Sequence, residues 1–267
     1  MYIGPPKTGS SSFHSLMTHL SLPSFHVGGP GLLDVLTQAA PSLEEAYAAD
    51  EVSCRSHGRT VFGPMPDKHI TQLIGRPAID CMLETSGYHS FSDDPWPLLY
   101  RHVDRNFPTT RFIMWARDPA DWARSFVRFF RDFDDTRWLR LAYGLCNVTE
   151  EQEPLLQDVM RQHVEQVRAY FASSSDASRR SRLLVIEDIN APGLPHALCA
   201  FALANTSQSW HCSQLSGMPH ILPPTSQLGY KDSYNLPLGR PADISAWRSC
   251  VSSRQSGSLH GSRRLRR

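Results

Sequence analysis

Short, wholly apolar runs set between amphipathic helical stretches limit the fold of this chain more than any other feature. Arg111–Ala116 reads RFIMWA and Arg182–Ile186 reads RLLVI, with no polar residue after the leading arginine of either run. A strand apolar on both faces has to be covered on both faces. A parallel sheet flanked by helices does that, and a half-solvated antiparallel sheet does not. The flanking segments are helical in pattern. Asp118-Pro119 supplies an N-cap and an N1 proline, and the turns that follow place Trp122, Phe126, Phe129 and Phe130 inward. Pro154 opens the longest amphipathic stretch, an apolar stripe of Leu155, Leu156, Val159, Met160, His163, Val164, Val167, Tyr170 and Phe171. A serine-rich turn ends it, and Leu194–Ala204 is helical after RLLVI. Ser10–Leu20 repeats Phe13, Leu16, Met17 and Leu20 at helical spacing behind a strand stub at Tyr2–Gly4, Pro97–Phe107 is a further helix, and Ala78–Leu83 is a second short apolar run. The expected fold is α/β, three layers (α/β/α) around a central parallel sheet.

The pattern fails after about residue 205, where Ser, Gln, Pro and Gly take over. One α/β domain is expected over residues 1–220, with 221–267 a Ser/Pro/Arg-rich disordered tail. Charge supports the division. The net charge is +1, yet six arginines and no acid follow from Arg248 onward, so the first 247 residues carry −5. A globally basic nucleic-acid binder is disfavoured, and any anion site in the body has to be built locally. No window approaches the ~18 consecutive apolar residues of a membrane span, and the opening MYIGPPKTG lacks a signal-peptide core. The six cysteines contain no CxxC pair, which reads as scattered reduced thiols, and a cytoplasmic location is expected unless a targeting or anchor segment precedes Met1. His196, Cys199, His211 and Cys212 match no zinc spacing, so Cys199 reads as a core residue and no metal site is expected. Asn147-Val-Thr149 and Asn205-Thr-Ser207 fit a glycosylation pattern that arises often by chance.

Two constellations carry chemistry. Gly4-Pro5-Pro6-Lys7-Thr8-Gly9-Ser10-Ser11-Ser12 lies between the first strand and the first helix. Unmet N–H groups and the positive dipole end at a helix N-terminus, with glycine allowing close wrapping, make a phosphate cradle. Three successive hydroxyls and one ammonium suit a diphosphate-sized group. A nucleoside triphosphate loop reads GxxxxGK[ST]; here Ser10 follows Gly9 and the lysine precedes it. The second constellation is Arg117, at the carboxyl end of RFIMWA, with Ser125 eight residues on. Ligands of open α/β sheets bind outside the carboxyl ends of strands, and a guanidinium fork fits a second phosphate. Alone, each has a plainer reading, a solvated loop lysine or an Arg117–Asp118 surface pair. Together they point to one edge of one sheet.

PPKTGSSS followed downstream by Arg-x7-Ser resembles the two nucleotide-binding motifs of sulfotransferases that use 3′-phosphoadenylyl sulfate (PAPS). The block from Ser92-Asp93-Asp94-Pro95 through LLYRHVDRNFPTTRFIMWARDPADWARS is similar to the family-4 branch, with LVIEDI at Leu184–Ile189 supportive and Phe25-His26-Val27 and Met218-Pro219-His220 weaker echoes. The resemblance covers about residues 1–205. It implies a P-loop NTP-hydrolase-like domain and in-line transfer of a sulfuryl group from PAPS, without a metal, to a hydroxyl or amine of a small-molecule or glycan acceptor. By the same resemblance Lys7, Thr8, Gly9, Ser10, Ser11 and Ser12 would hold the 5′ end and Arg117 and Ser125 the 3′-phosphate. Lys7 would neutralise the leaving oxygen, and Asp93 would be the general base, with Asp94, His89 and Glu84 as rivals. Two other readings stay open: a P-loop kinase or NTPase, with Glu187-Asp188 as metal-binding acids, and an inactive binding protein of the same fold.

Overall fold

The computed structural model describes residues 1–26, 71, 75–132, 139, 143, 145, 148–204, 212, 246–247 and 249–254. Strand β1 (Ser24–His26) pairs with β2 (Ser90–Ser92), and β3 (Phe112–Trp115) with β4 (Leu183–Ile186), both in parallel. Residues 1–3 join the two pairs. Tyr2 N–H donates to Phe91 O at 2.8 Å, Ile3 N–H to Ile113 O at 2.8 Å, and Ile113 N–H to Met1 O at 2.9 Å. The strands therefore lie in the order β1, β2, residues 1–3, β3, β4, and the expected N-terminal stub takes the central place.

The helices are α1 (Ser10–His19), α2 (Arg76–Thr85), α3 (Trp96–Asn106), α4 (Pro119–Phe130), α5 (Glu153–Ala172), α6 (Ala177–Arg180) and α7 (Leu194–Leu203). Side chains alternate along each strand, so the sheet feeds two apolar clusters. Met1, Ile3, Phe112 and Met114 pack with α2, α3, α4 and α5 in one. Tyr2, Ile113 and Ile186 pack with α1 and α7 in the other. The two long apolar runs thus meet cover on both faces, as their sequences require. Helix α4 starts where its cap predicts, with Asp118 Oδ1 accepting Asp121 N–H at 2.9 Å and Pro119 at N1, and its buried Trp122, Phe126 and Phe130 face α5.

Ala78–Leu83, read only as an apolar run, lies inside α2, and β1 and β2 have three residues each, too few to show a periodicity. The expectation of reduced thiols is overturned. Cys81 is bonded to Cys250 and Cys199 to Cys212. Partners 169 residues apart leave no local spacing to read. Cys54 and Cys146 lie outside the described residues. The inference of a cytoplasmic location drew on reduced thiols and loses that support. The tail is corrected in part as well. Residues 246–247 and 249–254 are helical, Trp247 and Val251 are buried in the larger cluster, and Trp247 Nε1–H donates to Ala78 O at 3.0 Å. Arg254 pairs with Asp80 and Glu84 on α2, so one tail arginine serves as an anchor. The large side chains of Trp247 and Val251 and the Cys250 bond dock a stretch whose average composition reads as disordered. Among the described residues no helix is long and apolar enough to cross a membrane. Met218–His220, Asn147 and Asn205 lie outside them.

Candidate functional site

The pairs β1–β2 and β3–β4 and the Tyr2–Ile113 bridge are all parallel, and the Gly4–Gly9 loop leaves residues 1–3 at their carboxyl end. The loop is clamped from within and from without. Tyr2 OH donates to Thr8 O and lies 3.0 Å from Thr8 Oγ1, and Thr8, fully buried, donates N–H and hydroxyl to Pro5 O. Trp122 Nε1–H of α4 donates to Pro6 O at 2.7 Å, and Arg117 Nη1 donates to Lys7 O at 2.8 Å. Lys7 has φ 68° and Gly9, the N-cap of α1, has φ 90°. A Cβ at Gly9 would stand 3.3 Å from the Trp115 ring, so this position favours glycine on both conformation and space. Lys7 carries a side chain in the left-handed region, where strain is tolerated when the surroundings over-determine the backbone; the four clamps above do that.

The loop delivers charge to the first turn of α1. The Lys7 ammonium rests over the Phe129 ring, 3.8 Å from its centroid, and burial holds its pKa below the usual lysine value, with Asp93 opposing. Arg117 lies over Trp115 at 5.5 Å, and burial lowers its pKa too. Helix geometry gives the N–H groups of Ser10, Ser11 and Ser12 no acceptor within α1, and no side chain caps this end. Two cations and a bare helix N-terminus therefore flank the same loop.

Asp93 closes the site from the end of β2. It has φ 72°, its Oδ1 accepts Asp94 N–H at 3.1 Å, and Ser10 is near enough to favour its charged form. Burial, with Asp94 adding, pushes its carboxyl up to about 8, against the pull of Lys7. His26, at the end of β1, stands 3.7 Å from Asp93 Oδ2. That is an ion-pair distance only for a charged imidazole; burial lowers His26 to about 3, so the contact is neutral. Its Nε2 lies 3.1 Å from Ser11 Oγ and its Nδ1 3.1 Å from Ser92 Oγ.

The structure thus brings Lys7, Thr8, Gly9, Ser10, Ser11, Arg117 and Asp93 to one edge. Ser12 and Ser125 lie half-buried on α1 and α4, joined to the loop by no hydrogen bond among those described. The rivals of Asp93 separate. His89 precedes β2 and so lies at the opposite edge, about 10 Å along a three-residue strand. Glu84 is exposed on α2 and paired with Arg254. Asp94, after which the bond to Pro95 is cis, has its Oδ1 taken by Tyr143 OH at 2.7 Å. Glu187 is exposed and pairs with Arg168, and Asp188 Oδ1 accepts Asn190 N–H, so both are engaged away from the loop. Asp93 does not cap α3 through its side chain, although its carbonyl accepts Trp96 N–H at 3.1 Å. Sequence reasoning passed over His26 and Phe129 as site residues. His26 was legible only as an echo near a strand too short to recognise, and Phe129 only as core.

A family model described as a sulfotransferase domain matches residues 1–188 of the 267. No curated protein matches the chain.

Proposed function

The chain belongs to the sulfotransferase-domain family, and from that premise we propose that it uses PAPS as donor to sulfate a hydroxyl or amine of a small-molecule or glycan acceptor. The observation that carries the reading is the Arg117 Nη1 to Lys7 O bond at 2.8 Å. It links the two separate anion motifs at the open end of α1. The donor set fits a bis-phosphorylated nucleotide in its chemistry: an ammonium, a guanidinium, three hydroxyls and amides without helical acceptors. PAPS, when bound, supplies the sulfuryl group and leaves as 3′,5′-ADP (PAP).

Each residue then has a task that its surroundings favour. Lys7, with Ser10, Ser11, Ser12 and the first-turn amides, grips the 5′ end, and Arg117 with Ser125 grips the 3′-phosphate. Lys7 offsets the negative charge that builds on the leaving oxygen, and the burial that lowers its pKa leaves its ammonium weakly solvated. Asp93 accepts the acceptor proton at its carboxylate. In the free protein burial and Asp94 push that carboxyl up to about 8, and the nearby Lys7 ammonium opposes the rise and so favours the basic form. The strand order, with one apolar cluster on each sheet face, supports a three-layer P-loop-type architecture. The two disulfides favour an oxidising compartment.

Thermal unfolding with added nucleotide tests the reading. PAP is expected to raise the midpoint and ATP with Mg²⁺ to leave it unchanged. The reverse result would favour a kinase, and no shift with either would remove both enzymes.

A further inference from the structure

His26 connects three elements that meet at the proposed donor site. Its ring is 10% exposed and is fixed on every side. From β2, Ser92 Oγ lies 3.1 Å from Nδ1, and from α1, Ser11 Oγ lies 3.1 Å from Nε2. The His14 ring of α1 stacks on it at 5.4 Å and 26°, and His14 is held in turn by Ser24 Oγ of β1 at 2.9 Å. The fully buried Ser92 directs its own hydroxyl proton to Phe25 O at 3.5 Å, which leaves its oxygen to accept from His26 Nδ1–H. Nε2 is then the acceptor nitrogen, and the Ser11 hydroxyl donates to it.

We propose that His26 is a positioning residue for the donor site: anchored by Ser92 at Nδ1, it accepts the Ser11 hydroxyl at Nε2 and fixes the first turn of α1 against the ends of β1 and β2. This rests on the PAPS reading above. His26 Nε2 also stands 3.7 Å from Asp93 Oδ2, so the same ring that holds Ser11 keeps the donor cradle and the base in register. The effect belongs to ground-state binding, because His26 holds the cradle without touching the group transferred.

The two ring nitrogens give the test its resolution. Glutamine places its amide near the Nε2 position and retains an acceptor for Ser11; asparagine reaches only as far as Nδ1. PAP affinity is measured by calorimetry for wild type, His26→Gln, His26→Asn, His26→Ala, Ser11→Ala and the Ser11→Ala/His26→Ala double variant, each checked for folding by its unfolding midpoint. In the nucleotide-free protein, ¹⁵N shifts of the His26 ring report the tautomer. The expected result is the Nδ1–H tautomer, affinity about fivefold weaker in His26→Ala and His26→Asn, near wild type in His26→Gln, and no further loss in the double variant, as one neutral hydrogen bond implies. The KM for PAPS should rise with kcat little changed. An Nε2–H tautomer, or PAP binding by wild type that all His26 variants match, overturns the tether while leaving the donor reading intact. Failure of the wild type itself to bind PAP overturns both.

Discussion

The two edges of the sheet hold comparable polar groups and treat them oppositely. At the amino-terminal edge the buried carboxylate of Asp104 is met by Arg179, by Arg182 and by Tyr170 OH at 2.9 Å, and Arg182 also reaches Thr110 O. Its charge is answered inside the protein. At the carboxyl edge, Lys7 rests on an aromatic face, Arg117 spends one nitrogen on a backbone carbonyl, and Asp93 is buried beside another carboxylate. Two of the three non-glycine residues with positive φ among those described, Lys7 and Asp93, are here. The amino-terminal edge neutralises its charge internally, whereas the carboxyl edge leaves its charges strained and shifted, the pattern expected of a ligand site.

Substitutions that exchange the two behaviours would break this contrast. Lys7→Ala should lower turnover about 10²- to 10³-fold while moving the unfolding midpoint little; full turnover would refute its role. Asp93→Asn should lower turnover about 10²-fold and remove the limb of the pH profile on which kcat/KM rises toward pH about 8. Stability should move in the other direction. The folded-state pKa of Asp93 is raised from 3.8 to about 8, so its contribution is full below about pH 4 and is lost as pH rises through 8. Asp93→Asn should flatten that decline, which denaturant titrations at pH 5 and 8 would read. At the opposite edge, Asp104→Asn should destabilise by about 3 kcal/mol, measured by denaturant unfolding, and leave PAP affinity unchanged; weaker binding would mean that the edges are coupled. Cys250→Ser should cost about 2 kcal/mol by releasing the 246–254 segment from α2, again with binding unaltered.

What the sequence showed of this arrangement follows from the range of each interaction. Helices α1, α4 and α5 and strands β3 and β4 lie within a few residues of their expected bounds, because caps, prolines and apolar stripes are local signals. The loop and Arg117 were legible as anion groups for the same reason. His26 was not, since its contacts with Ser11, His14 and Ser92 come from two other elements. The docking of Trp247 and Cys250 on α2 was hidden by distance along the chain, and composition averaged over the tail could not single out these residues. Asp93 could be separated from His89 only when the three-residue β2 assigned them to opposite edges.

The central claim is that the carboxyl edge grips two phosphates with two separate groups, and paired calorimetric titrations test it most directly. PAP and 5′-AMP differ only in the 3′-phosphate. Wild type is expected to bind PAP at least about tenfold more tightly, as one charge-assisted contact implies, and Arg117→Ala to bring the two affinities together. Equal affinities in wild type, or a preference for PAP that survives Arg117→Ala, would contradict the account.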